Sequence, residues 1–154
     1  MLLWKTLHIL SMVTMMTMFI GAEVFYAGAI WRRDGRALAW VQRTVEGAGV
    51  GIIGMLGILA GIIFGLLTVA TGGFDFAAGW LIVAYVLVVA FFINSFLLGM
   101  RLVDVAKMAV KAEDDGRVPD EVLRAVPPNQ GAVLLAVNAT LFALIIIDMV
   151  VKPF

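Results

Sequence analysis

The chain has 154 residues, of which 63% are hydrophobic and 14% charged, with no cysteine and a formal net charge of zero at pH 7. Soluble domains carry about a quarter charged residues, so this composition excludes an ordinary water-soluble domain. Without thiols, disulfides, thiolate metal sites and cysteine nucleophiles are excluded too. Balanced charge gives no reason to expect nucleic acid as a partner.

Four segments reach the ~20 mostly apolar residues that a spanning helix requires. They cover about residues 2–31, 46–70, 78–100 and 131–151. The expectation is an all-α polytopic membrane protein, a single up-and-down bundle of four transmembrane helices with the lipid bilayer as its first partner. The first segment is too long for a signal core and ends in "WRRDGR" with no small-residue cleavage site, so it reads as a retained span. The loop at 32–45 carries Arg32, Arg33, Arg36 and Arg43. In the second span Gly47 and Gly51 are four apart, as are Gly57, Gly61 and Gly65. That spacing suits close approach of another helix, either within the chain, the simpler reading, or across a homo-oligomer seam. Because "GAGVGIIG" sits inside a spanning helix with no strand before it, it is no dinucleotide fingerprint.

The next loop, "TGGFDFAAG", has no Lys or Arg, is short and glycine-rich, and predicts an antiparallel hairpin of the second and third spans. The third helix should continue as an amphipathic extension through Lys111 until "EDDGR" breaks it. "VPDEVLRAV" could then add interfacial turns, with Pro119 near their start. Region 101–130 carries Arg101, Lys107, Lys111, Arg117 and Arg124, whereas the termini supply only Lys5 and Lys152. Basic loops stay on the cytoplasmic side, so loops 32–45 and 101–130 are expected inside and both termini outside.

Ionisable residues at membrane depth mark function or structural pairing. His8, the single histidine, lies about 8 Å in from the outer end of the first span, and Asp148 lies near the outer end of the fourth. A His8–Asp148 hydrogen bond is therefore expected to be feasible, the carboxylate serving as outer partner should His8 ligate a metal. Glu23 lies in the inner layer with Arg101 and Glu46, and a Glu23–Arg101 pair is the simplest way to tolerate both. Asn94, Ser95, Asn138 and Thr140 can hydrogen-bond between helices. On a helical wheel His8, Met12 and Met15 form a vertical stripe. Methionine stripes ordinarily pack. The alternatives are a b-type haem with His8 as axial ligand beside Met12 or Met15, or Cu(I) on the thioethers.

"KTLHILSMV", "ALAWVQRTVEGAGVGIIGMLGILAGIIFGL", "GWLIVAYVLVVAFFINSFLLGMRL" and "DMVVKPF" together resemble the DUF2269 family. These are small predicted integral membrane proteins of bacteria without an established function, which implies a multi-pass protein of the bacterial inner membrane. "LHILS" is also similar to the opening of the copper-resistance-D and HemJ-type four-helix membrane proteins. That resemblance implies haem binding at His8. The sequence departs from that group in having "WRRD" where a further histidine would end the first helix.

Three functions follow as expectations. The most specific is a haem-b-binding redox or haem-handling protein using His8. The second is a non-catalytic subunit of a larger membrane complex. The third is an ion or proton transport component using Glu23, Asp148 and the asparagines, which the lack of any proline break in the spans disfavours. Neither a hydrolase triad nor a phosphate-cradling loop is present.

Overall fold

The structure, a computed structural model, describes residues 2–151 apart from the side chain of Leu98. Lys152, one of the basic residues expected at the outer ends, lies outside the described residues. Every regular element of the described residues is helical: α1 (Leu2–Trp31), α2 (Gly35–Gly47), α3 (Val50–Gly72), α4 (Gly79–Asn94), a π-helical turn (Ser95–Gly99), α5 (Met100–Asp114), a 3-10 stretch (Pro119–Ala125) and α6 (Gln130–Val151). Among the described residues four helices are long and apolar enough to cross a membrane: α1, α3, α6 and the continuous run Gly79–Asp114.

The second span begins at Val50, later than expected, because Gly49 adopts a left-handed conformation (φ 64°) that separates it from α2. Most of the segment 32–45, expected as loop, belongs instead to the helix α2 (Gly35–Gly47). Asp34 caps it by accepting a hydrogen bond from Ala37 N at 2.8 Å, satisfying one of the donors that a helix start leaves open. Leu38, Ala39, Val41 and Gln42 are buried, while Arg36, Trp40, Arg43 and Thr44 are exposed. This amphipathic pattern is short and interrupted by arginines, so it did not register as a span.

Helix α1 is the hub. It packs along α3 on one side and α6 on another, and α6 packs on α4. The spatial order is thus α3, α1, α6, α4. The loop after α3 turns the chain back, but α3 and α4 meet through a local cluster of Val69, Trp80 and Leu81, not along their length. Phe74 meets Trp80 edge-on there, with ring centroids 5.7 Å apart.

The largest core cluster lies at the basic end, where α2, α5 and the 3-10 stretch close over the adjoining ends of α1 and α6. Ile30, Leu38, Ala39, Ala106, Ala109, Leu123 and Leu134 are wholly buried there. In contact with water, full burial of each leucine contributes about 1.5–3 kcal/mol. Between the spans that driving force is absent, because lipid tails are as apolar as leucine, and close packing and polar contacts replace it. Ile52, Met55, Val86 and Val150 accordingly stand exposed on the lipid-facing sides.

Backbone contacts fasten this cap. Arg33, itself left-handed (φ 56°), donates to the carbonyls of Leu123 and Val126. Arg43 pairs with Glu113 at 2.7 Å and Asp114 at 2.5 Å. A Cβ on Gly35 would collide with the Pro119 carbonyl carbon, so the start of α2 lies directly on the 3-10 stretch.

Candidate functional site

Helix α6 presents a buried stripe of Gly131, Leu134, Asn138, Phe142, Ile145 and Asp148. Gly131 brings it close to α1, since a Cβ there would lie 2.7 Å from Ala27 Cα. One turn of α1 earlier, Glu23 meets Asn138, about 12 Å into α6 from its basic end. Asn138 is fully buried and Glu23 is 8% exposed.

The amide of Asn138 organises the group. Its Nδ2 donates to Glu23 Oε1 at 2.6 Å and to Ser95 Oγ at 3.0 Å. Its Oδ1 accepts from Asn94 Nδ2 at 2.7 Å. Neighbouring helical residues point about 100° apart, yet Asn94 and Ser95 both reach Asn138, at the point where the α-helix gives way to the π turn. Such a turn inserts one residue, re-aims side chains, and is frequent at functional sites. Glu23 Oε2 is buried and has no hydrogen-bond partner, and no ion pair among the described residues includes Glu23.

On the basic side of this group, Tyr26 is also buried on α1. Its hydroxyl donates to Gln42 Oε1 at 2.6 Å, and Gln42 Nε2 donates to Glu46 Oε1 at 2.7 Å. Glu46 is exposed. A line of polar groups therefore runs from the surface of the cap towards the turn of α1 that bears Glu23.

The expected Glu23–Arg101 pair does not form. Arg101 is exposed and lines a surface groove with Ile93, Asn94 and Leu97, whereas Glu23 is buried against Asn138 of α6. The His8–Asp148 hydrogen bond does not form either. The Nδ1 of His8 donates to Gly61 O on α3 at 2.8 Å, and Asp148 belongs to the buried face of α6. With α1 lying between α3 and α6, the two groups point to different neighbours. Asp148 Oδ2 is left buried without a partner. Thr140 bonds back to Ala136 O within its own helix, so it links no two helices.

The methionine stripe lies against the α3 glycines. A Cβ on Gly57 would lie 3.2 Å from Met15 N, one on Gly61 2.8 Å from Met12 Sδ, and one on Gly65 3.0 Å from His8 Cε1. Met15 is buried with Phe91 and Phe142. Gly54, not singled out from the sequence, meets Phe19 in the same way. Gly47 and Gly51 do not share a helix, because the break at Gly49 puts Gly47 on α2, and neither has a neighbour within 4 Å of a built Cβ. Among the described residues no three His, Asp or Glu side chains gather as a metal site.

Sequence reasoning named Glu23, Asn94, Ser95 and Asn138 but did not join the first to the others. Tyr26 and Gln42 were missed as a polar line because α2 was not foreseen. No curated protein and no solved structure matches the chain, so the likeness to the copper-resistance-D and HemJ-type proteins stays with a few residues around His8. A four-span α-helical architecture and a family match over residues 2–153 agree, and the chain belongs to DUF2269, a family described as predicted integral membrane proteins.

Proposed function

We propose that this integral membrane protein handles protons within the bilayer, as a transport component or a coupled subunit, with Glu23 as the group that takes up and releases them. The observation that carries the reading is Glu23 Oε2, a carboxylate oxygen enclosed in the spans with no donor and no cation beside it. Burying such a group is costly, so an intramembrane carboxylate without a structural counter-ion points to function. Asn138 holds the other oxygen in place, and the Tyr26–Gln42–Glu46 line marks the approach from the basic end. No proline breaks the spans, but the π turn at Ser95–Gly99 gives the third span a local irregularity beside the polar group.

In proteoliposomes holding a pH-sensitive dye, the wild type should dissipate an imposed pH gradient, and Glu23→Gln should slow that about 100-fold or more, the low end of what a positioned proton-transfer group contributes. Equal rates for wild type and Glu23→Gln overturn the reading.

A second reading, haem at His8, is supported by one contact. With Nδ1 donating to Gly61 O, the neutral ring keeps its lone pair on Nε2, the arrangement usual for a ligating histidine. Met12 and Met15, packed on α3, are then not its flanking ligands. A Soret band in purified protein, lost in His8→Ala, is the expected signature. Protein colourless after expression with added haem precursor removes this reading.

A further inference from the structure

The third span carries a second feature on its exposed, lipid-facing side. Two shallow grooves, open to the surroundings, run along the α4–α5 run and share Ile93 and Leu97 as the ridge between them. One, of about 510 Å³, is lined by Ala90, Ile93, Asn94, Leu97 and Arg101. The other, of about 420 Å³, is lined by Phe92, Ile93, Phe96 and Leu97. Only the first has polar residues. Arg101 ends it on the side of the cap, and no carboxylate among the described residues lies within ion-pair distance of its guanidinium, including Asp104 on the next turn. From Arg101 to Ala90 the groove rises about 16 Å into the span. The π turn lies between these ends, and Gly99 within it adds no side chain.

We propose that the paired grooves hold one two-chain anionic phospholipid from the leaflet at the basic end. Its phosphate sits on the Arg101 guanidinium, which offers a planar set of donors suited to phosphate oxygens. One acyl chain follows Ala90 and Asn94, and the other lies over Phe92 and Phe96, with Ile93 and Leu97 between them. Two adjoining grooves fit two chains, and one unpaired cation at their shared end fits one negative headgroup. A wholly apolar helix of a partner would leave that cation without a counter-charge. Asn94 lines the groove and also donates to Asn138, so the lipid would border the Glu23 group without depending on its chemistry.

Native mass spectrometry after exchange into vesicles of phosphatidylglycerol and phosphatidylcholine in equal parts tests this. The wild type should retain one phosphatidylglycerol in preference to phosphatidylcholine. Arg101→Gln should cut that preference about five- to tenfold, the worth of one charge-assisted contact. Leu97→Trp, which fills the ridge but leaves Arg101 intact, should lower retention of both lipids, while Glu23→Gln should change nothing. Lys111→Gln removes another exposed cation of α5 and serves as control. Equal retention of the two lipids by the wild type, or an equal loss from Lys111→Gln and Arg101→Gln, overturns the proposal.

Discussion

Glu23 and Asn138 show how a buried amide settles the arrangement of its neighbours. Asn138 spends both amide hydrogens on Glu23 and Ser95 and its oxygen on Asn94, so Asn138→Leu strands three polar groups at once. It should lower stability by about 2 kcal/mol or more, read from unfolding in mixed detergent. Thr140→Ala, on the same helix and equally polar from the sequence, should change stability by less than ~0.5 kcal/mol, since its hydroxyl only bonds back to Ala136. A large effect at Thr140 together with none at Asn138 would contradict the arrangement. These residues were legible as polar points inside spans. Their partners were not, because a pairing argument from depth alone matched Glu23 to the nearest opposite charge and could not see that Arg101 turns outward.

Among the helices, α1 and α3 pack along the greatest length, and the α3 glycines are not equivalent. At Gly57 a Cβ meets backbone, Met15 N and Ser11 O, which cannot move without shifting α1; at Gly61 it meets the flexible end of Met12. Gly57→Ala should therefore destabilise more than Gly61→Ala, although both lie in the same i,i+4 run. Gly131→Ala, pressing on Ala27 Cα, should cost most, about 1–3 kcal/mol by overpacking, with thermal unfolding in detergent as the measure. Spacing in the sequence identifies a smooth groove but not which positions touch backbone. Nor could it reveal that Gly47 belongs to α2, for two glycines four apart read as one face whenever the helix is assumed unbroken.

For the molecule as a whole, orientation across the bilayer is the property that the basic loops argue for and that labelling can test. The chain has no cysteine, so single substitutions report cleanly. Asp75→Cys, in the loop between α3 and α4, should react with a membrane-impermeant thiol reagent added outside intact cells. Glu121→Cys, in the 3-10 stretch of the cap, should react only after the membrane is opened. The reverse pattern would invert the assignment of sides and move the proposed lipid to the other leaflet. Loss of the Arg43 clasp by Arg43→Ala should cost no more than ~1 kcal/mol, because its partners are partly exposed and solvent-screened.

Hydrophobic run length decided, from residues alone, that four helices cross a membrane, because hydrocarbon thickness sets a minimum length that few other structures need. The break at "EDDGR" and the extension of the third helix beyond the span were legible for a similar reason, being local properties of the chain. Which helices adjoin was not local. The order α3, α1, α6, α4, the π turn beside Asn138, and the cap formed by α2 with α5 all depend on contacts between residues far apart in the chain. Within lipid no difference in apolarity selects among such contacts, so close fit and a few hydrogen bonds choose the neighbours.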